Sequence, residues 1–147
     1  MIYIASDHGG YQLKEKLINH LKELKLDFVD LGTDTDKESV DYPDYGAKAC
    51  KEIIKDLDHN KGILICGTGI GISIAANRFH DIRAALVYNE ECARLARQHN
   101  DANVICFGGR IVNHDDAVNY LDIFLNTNFE GGRHCRRVDK LTNLKGE

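Results

Sequence analysis

Proline and tryptophan are nearly missing from this chain: Pro43 stands alone and no tryptophan occurs. Without a Pro-, Gly- or Ser-rich tract there is no linker to divide the chain. Its 147 residues are therefore read as one domain, 1–147, large enough for a hydrophobic core. No run approaches the ~18 apolar residues of a membrane span, and no basic leader opens the sequence; a cytoplasmic protein without membrane contact is expected. Cysteines are odd in number and widely spaced (Cys50, Cys66, Cys92, Cys106 and Cys135), and never form a Cys-x-x-Cys pair. That excludes a disulfide framework and a zinc site of ordinary spacing, leaving reduced thiols and no expected metal. Positive charge is not in excess either: the net charge is −4, which argues against a nucleic-acid partner.

What is present centres on Gly62-Ile-Leu-Ile-Cys-Gly-Thr-Gly-Ile-Gly-Ile-Ser-Ile-Ala-Ala-Asn-Arg78. Ile63 to Cys66 form a short apolar, β-branched run that suits a strand buried on both faces. Gly67, Gly69 and Gly71 follow at alternate positions, with Thr68 and Ile70 between them, and the pattern then turns helical. Such a loop exposes backbone N–H groups and seats an anion, with Cys66 at its mouth and the Thr68 hydroxyl inside. Nucleotide motifs fit it poorly. The dinucleotide fingerprint lacks its third glycine, because position 72 is Ile, and no lysine between Lys61 and Lys140 can complete a P-loop.

Taken in order, Ile2 to Ala5 read as a strand, followed at once by Ser6-Asp7-His8-Gly9-Gly10. Leu13, Leu17, Leu21 and Leu24 recur at helical spacing among lysines and glutamates, and Asp27 to Leu31 read as a second strand. Asp7 and His8 fall at the carboxyl end of the first strand, where open α/β sheets bind ligands; a helix cap and an exposed turn residue are the plain alternatives. A polar loop over 32–44 ends in Asp41-Tyr42-Pro43-Asp44, with Tyr42 held extended by the proline after it. Cys50, Ile53, Ile54 and Leu57 form the apolar face of the helix that follows.

Arg83 to Tyr88 give a fourth strand, and Asn89 caps a helix over Glu90 to His99 whose Cys92, Leu95 and Ala96 face inward. The cluster Arg97-Gln98-His99-Asn100-Asp101 precedes strand five, Val104 to Phe107. His99 is either a partner of the helix C-terminus or a general acid and base near neutral pH. Gly108-Gly109-Arg110 closes that strand, and Asn113 caps a further helix. In the tail, Arg133 and Arg137 are four apart, so a helix would place them on one face as a phosphate clamp, or simply as a solvated basic face.

Strand-then-helix units in this order predict a Rossmann-like three-layer α/β/α sandwich around a five-stranded parallel sheet. A thiol beside backbone donors, a hydroxyl, a histidine, a carboxylate and arginines, without metal spacing, suit proton abstraction next to the carbonyl of a sugar phosphate.

The sequence resembles the type B ribose-5-phosphate isomerases, within the wider ribose/galactose-phosphate isomerase family. The resemblance rests on Ser-Asp-His-Gly-Gly (6–10), Asp-Tyr-Pro (41–43), the 62–77 segment, Arg-Gln-His-Asn-Asp (97–101), Phe-Gly-Gly-Arg (107–110) and Glu-Gly-Gly-Arg-His-x-x-Arg-Val (130–138). It implies interconversion of ribose 5-phosphate and ribulose 5-phosphate in the pentose phosphate pathway. It also implies catalysis without cofactor, and a homodimer, or a tetramer, whose active sites are shared across an interface. By resemblance, Cys66 is the base, since the glutamate used by one branch of the family is Ile72 here. The backbone of Gly67, Gly69, Ile70 and Gly71 would hold the enediolate oxygens, with Thr68 assisting proton movement. His99, from the partner subunit, would open the sugar ring, and Asp7 and Asn100 would hold hydroxyls. His8, Arg110, Arg133 and Arg137 would grip the phosphate, and Tyr42 would line the sugar site. The galactose 6-phosphate relatives lack the motifs at 97–100 and 131–137, so a five-carbon substrate is expected, with allose 6-phosphate left open. A dehydrogenase would instead seat a pyrophosphate at 67–71 with Glu90 on the ribose, and a non-catalytic nucleotide-binding module would have no need of Cys66, His99 and the arginine pair together.

Overall fold

The computed structural model describes residues 1–146. Five strands alternate with helices: β1 (Ile2–Ser6), α1 (Tyr11–Glu23), β2 (Phe28–Asp30), α2 (Tyr42–Ile53), β3 (Lys61–Cys66), α3 (Ile70–Ala76), β4 (Ala84–Leu86), α4 (Glu90–Gln98), β5 (Val104–Gly108), α5 (His114–Asn126) and α6 (Arg133–Asn143). All pairings are parallel and the spatial order is β2-β1-β3-β5-β4.

The two faces of the sheet follow from the period of two along each strand. Ile4, Ile63, Ile65, Ile105 and Phe107 point to one side, where Leu13, Leu17 and Leu21 of α1, Ala93 and Ala96 of α4, and Leu121 and Phe124 of α5 cover them. Ala5, Leu64, Cys66, Val104 and Cys106 point to the other, under Ala49, Cys50 and Ile53 of α2 and Ile72 and Ala76 of α3. The crossovers through α1 and α4 step one way along the sheet and those through α2 and α3 step the other. This is the arrangement that right-handed connections impose. The chain leaves β1 toward β2 and leaves β3 toward β4, so the loops after β1 and β3 diverge and open a crevice between them.

The three-layer sandwich expected from the sequence is what forms, with local differences. Asn89 and Asn113 cap α4 and α5 as read, accepting from Cys92 N at 2.7 Å and from Asp115 N and Asp116 N at 2.9 and 3.1 Å. Tyr42 is not extended. It is the first residue of α2, with Asp41 as the extended N-cap and Pro43 in the first turn, where its missing N–H leaves no bond unmade. Lys14, one of the lysines between the leucines of α1, is fully buried: Nζ donates to both carboxylate oxygens of Asp30 on β2 at 2.8 Å. Leu95 is only half-buried, while Arg97 is buried in its place among the inward residues of α4.

Candidate active site

Three turns meet at the carboxyl edge of the sheet. After β1, Asp7 is extended and its Oδ1 accepts from Gly10 N at 3.1 Å, which closes a tight turn over His8–Gly10. The capping reading of Asp7 therefore holds, a contact of about 1 kcal/mol. His8 Nδ1 accepts from Val40 N at 3.1 Å, which places the ring hydrogen on Nε2 and leaves that nitrogen as the donor for a ligand.

After β3, Cys66 is buried and its Sγ accepts from Gly69 N at 3.2 Å. That contact stabilises negative charge on sulfur. The loop reaches it because Gly69 takes a left-handed φ of 77° that a side chain would resist. Thr68 Oγ1 accepts from Ile70 N at 3.2 Å. Two of the backbone donors expected for a ligand, those of Gly69 and Ile70, are thus engaged inside the loop.

After β5, Gly109 N donates to Cys66 O at 2.8 Å and Arg110 N to Gly67 O at 3.0 Å, which latches the two loops together. The approach is close enough to forbid side chains. A Cβ on Gly108 would lie 2.5 Å from Thr68 O, one on Gly109 2.8 Å from Gly9 O, and one on Gly10 2.6 Å from Ile65 O. The Arg110 guanidinium lies over Gly9 and Gly67 and has no acidic partner among the described residues. It brings an uncompensated positive charge to the crevice mouth, suited to a phosphate. Tyr42 packs its ring on Gly71. Beside Thr68 a cavity of about 400 Å³ is lined by Ile70, Leu86, Tyr88 and Ile111, of which Ile70, Tyr88 and Ile111 are well exposed.

His99, Asn100, Arg133 and Arg137 are elsewhere. Helix α4 starts near the carboxyl end of β4 and runs back to the amino end of β5, so His99 at its C-cap and Asn100 sit at the opposite edge of the sheet from Cys66. Helix α6 is tied to the same edge: Glu130 N donates to Gln98 O at 3.0 Å, and the rings of His99 and His134 stack with centroids 4.1 Å apart and planes 14° apart. Arg133 and Arg137 follow on α6, exposed. Arg97, two residues before His99, is buried and donates to Asp101 Oδ1, Ala102 O and Thr127 O at 2.8, 2.7 and 3.2 Å, fastening the turn that carries His99. The predicted residues therefore form two groups: Asp7, His8, Tyr42, Cys66, Gly67, Thr68, Gly69, Ile70, Gly71 and Arg110 at one edge, and His99, Asn100, Arg133 and Arg137 at the other.

One cluster was not visible in the spacing. His99, Glu130 and His134 bring potential ligand atoms within 4.8 Å of one another. The i, i+4 pair Glu130–His134 was the available signal, but its third member comes from a distant segment. Near-parallel imidazoles aim their lone pairs along separate planes, which do not converge on one ion at the ~2 Å of a metal–nitrogen bond. Burial pushes the His134 imidazole below its usual pKa, and neighbouring His99 and Arg133 push the same way. Burial also carries two thiols on the α2 face upward, Cys50 to about 12 and Cys106 well above the ordinary value.

Comparison with known proteins agrees along the whole chain. The family described as Ribose/Galactose Isomerase matches residues 2–141. Ribose-5-phosphate isomerase B of Escherichia coli is 42% identical over 144 residues, 98% of this chain and 95% of the relative. Among solved structures, a ribose 5-phosphate isomerase of Thermotoga maritima superposes with a TM-score of 0.93 at 48% identity, covering 97% of each chain. Ribose-5-phosphate isomerase B of Mycoplasma genitalium, solved with bound ribulose-5-phosphate, superposes with a TM-score of 0.93 at 46% identity, over 96% of this chain and 93% of that one. The crevice, its thiol and its glycine turns are thus carried on a scaffold shared with these enzymes from end to end, and the chain belongs to the ribose/galactose isomerase family.

Proposed function

We propose that this chain is an aldose–ketose isomerase interconverting D-ribose 5-phosphate and D-ribulose 5-phosphate. The observation that carries the reading is the convergence of Cys66, with a backbone N–H on its sulfur, and the unpaired Arg110 guanidinium across Gly67. In this reading Cys66 as thiolate takes the proton from C2 of the open aldehyde, and the electron pair moves through C1–C2 to leave an enediolate. The resulting thiol returns the proton to C1, while Thr68 passes the hydroxyl proton between O1 and O2. Arg110 and His8 Nε2 hold the phosphate, and Asp7 a hydroxyl.

The second half of the site comes from another copy. No single chain brings His99 to Cys66, because the two stand at opposite edges of one sheet. The apolar Ile70, Tyr88 and Ile111 exposed around Thr68 supply a surface for a second copy to cover. His99 of that copy would accept the C1 hydroxyl proton and give one to the ring oxygen as the C1–O bond opens, with its Asn100 on a hydroxyl and its Arg133 and Arg137 on the phosphate. The protein is then a homodimer acting without metal or cofactor. Among the described residues no helix is long and apolar enough to cross a membrane, in keeping with a cytoplasmic enzyme.

The test is an isomerase assay on ribose 5-phosphate with chelator present and no cofactor added, beside Cys66→Ala. The wild type turns over, and the mutant loses about 10³-fold in kcat while still binding substrate. A fully active mutant would remove Cys66 from the role of base, and a wild type inactive on both pentoses would overturn the substrate.

A further inference from the structure

The ring of His134 raises a question that the reaction above does not answer. It is 4% exposed and its Nε2 is buried without a hydrogen-bond partner; the nearest acid, Glu130 Oε1, is 3.8 Å away. An orphaned imidazole nitrogen costs stability, and an apolar ring of the same shape would fold at least as well there. The residue is therefore not retained to make a hydrogen bond. What its ring does make is the stack on His99, 4.1 Å between centroids and 14° from parallel.

His99 has few other restraints. It is the C-cap of α4, its backbone N–H donates to Leu95 O at 2.9 Å, and neither ring nitrogen is hydrogen-bonded among the described residues. Rotation about the Cβ–Cγ bond would swing the two nitrogens away from a substrate. Among the described residues, the flat His134 ring against its face is what opposes that rotation. The groups facing His134 are His99 from α4, Glu130 before α6, and Arg133 and Arg137 on α6 itself. Burial, then His99 and these two arginines, lower the pKa of the stacked imidazole and so disfavour its charged form.

We propose that His134 is a positioning residue for His99, holding by face-to-face stacking the plane of the imidazole that opens the sugar ring. It rests on the isomerase reading and concerns one half of that reaction. Ribose 5-phosphate is mostly a closed furanose and must be opened. Ribulose 5-phosphate, phosphorylated on O5, has no hydroxyl that closes a five-membered ring on C2, so the reverse reaction begins from an open chain. The aldehyde formed from ribulose 5-phosphate can leave as the open chain, so a defect in positioning His99 is read in kcat on ribose 5-phosphate and not in kcat on ribulose 5-phosphate. The ratio of kcat/KM in the two directions stays fixed by the equilibrium constant.

Initial rates are measured in both directions for wild type, His99→Ala, His134→Ala and His134→Phe, with thermal melts of each. His134→Ala is expected to lower kcat on ribose 5-phosphate roughly tenfold or more, as a misplaced catalytic group does, with the rate on ribulose 5-phosphate within about twofold of wild type. His134→Phe, which keeps the stack, recovers most of the loss. Equal losses in both directions, no loss in either, or a well-folded His134→Phe as defective as His134→Ala overturns the proposal. The His99→Ala control separates the two levels. If it too is equally impaired in both directions, the ring-opening role of His99 falls first, and a wild type inactive on both sugars places the failure in the isomerase reading itself.

Discussion

At the carboxyl edge of the sheet, main chain packs on main chain: a methyl group at Gly108 or Gly10 would sit 2.5 or 2.6 Å from a carbonyl oxygen of the neighbouring turn. At the amino edge side chains do the fastening, with the Arg97 guanidinium reaching three oxygens and the His99 and His134 rings stacked. The first edge tolerates almost no added atom, because backbone cannot move aside without breaking the ladder that leads into it. The second tolerates changes of shape and is sensitive to lost polar partners and to protonation. A single α/β scaffold thus fixes one group of residues by steric exclusion and another by charge and hydrogen bonding.

The largest test of this contrast is Gly108→Ala. Its new methyl must displace the Thr68 carbonyl, and a loss of about 3 kcal/mol in urea unfolding is expected, together with loss of activity as the 67–71 loop shifts. Next is Arg97→Met. The aliphatic volume is kept but the carbonyls of Ala102 and Thr127 lose a buried donor, so about 2 kcal/mol should be lost, read from the same unfolding midpoints. If the arginine change cost more than the glycine change, the ranking of the two edges would be reversed. The smallest effect is in pH. Because His134 titrates lower in the fold than in the unfolded chain, the unfolded state binds the proton first as the pH drops. Its contribution is intact above about 6.5, the unfolded value, and is lost as the pH falls through the depressed folded value. The drop in urea midpoint between pH 7.5 and pH 5 should therefore be smaller in His134→Phe than in wild type. An identical drop in both proteins would remove the amino edge's expected sensitivity to protonation.

The carboxyl edge was largely legible in the sequence, and the amino edge only in part, for a physical reason. Gly67, Gly69, Gly71, Gly108 and Gly109 mark a backbone requirement, and a backbone requirement is written locally. The Asn89 and Asn113 caps were legible for the same cause, since a cap and the N–H groups it bonds lie within three residues. The burial of Lys14 was not legible because its acceptor, Asp30, arrives from β2; a lysine among leucines at helical spacing gives no sign of the carboxylate that will meet it. Tyr42 was misread because its following proline was taken to hold it extended, whereas Asp41 is the residue outside the helix. His134 carried no signal of its stack, which depends on how α6 returns to the end of α4, a tertiary fact without local spelling. His99 and Cys66 were both singled out, but their placement at opposite edges follows only from the direction in which α4 runs.

That separation has a genetic consequence. If a second copy completes each site, neither Cys66→Ala nor His99→Ala chains turn over ribose 5-phosphate with their own kind, since both sites of either pure dimer carry the same lesion. In a mixed pair the unaltered Cys66 edge of one chain meets the unaltered His99 edge of the other, and one whole site is reassembled from two defective proteins. On that proposal the two lesions would complement each other in trans, and the unit on which selection acts would be the pair of chains.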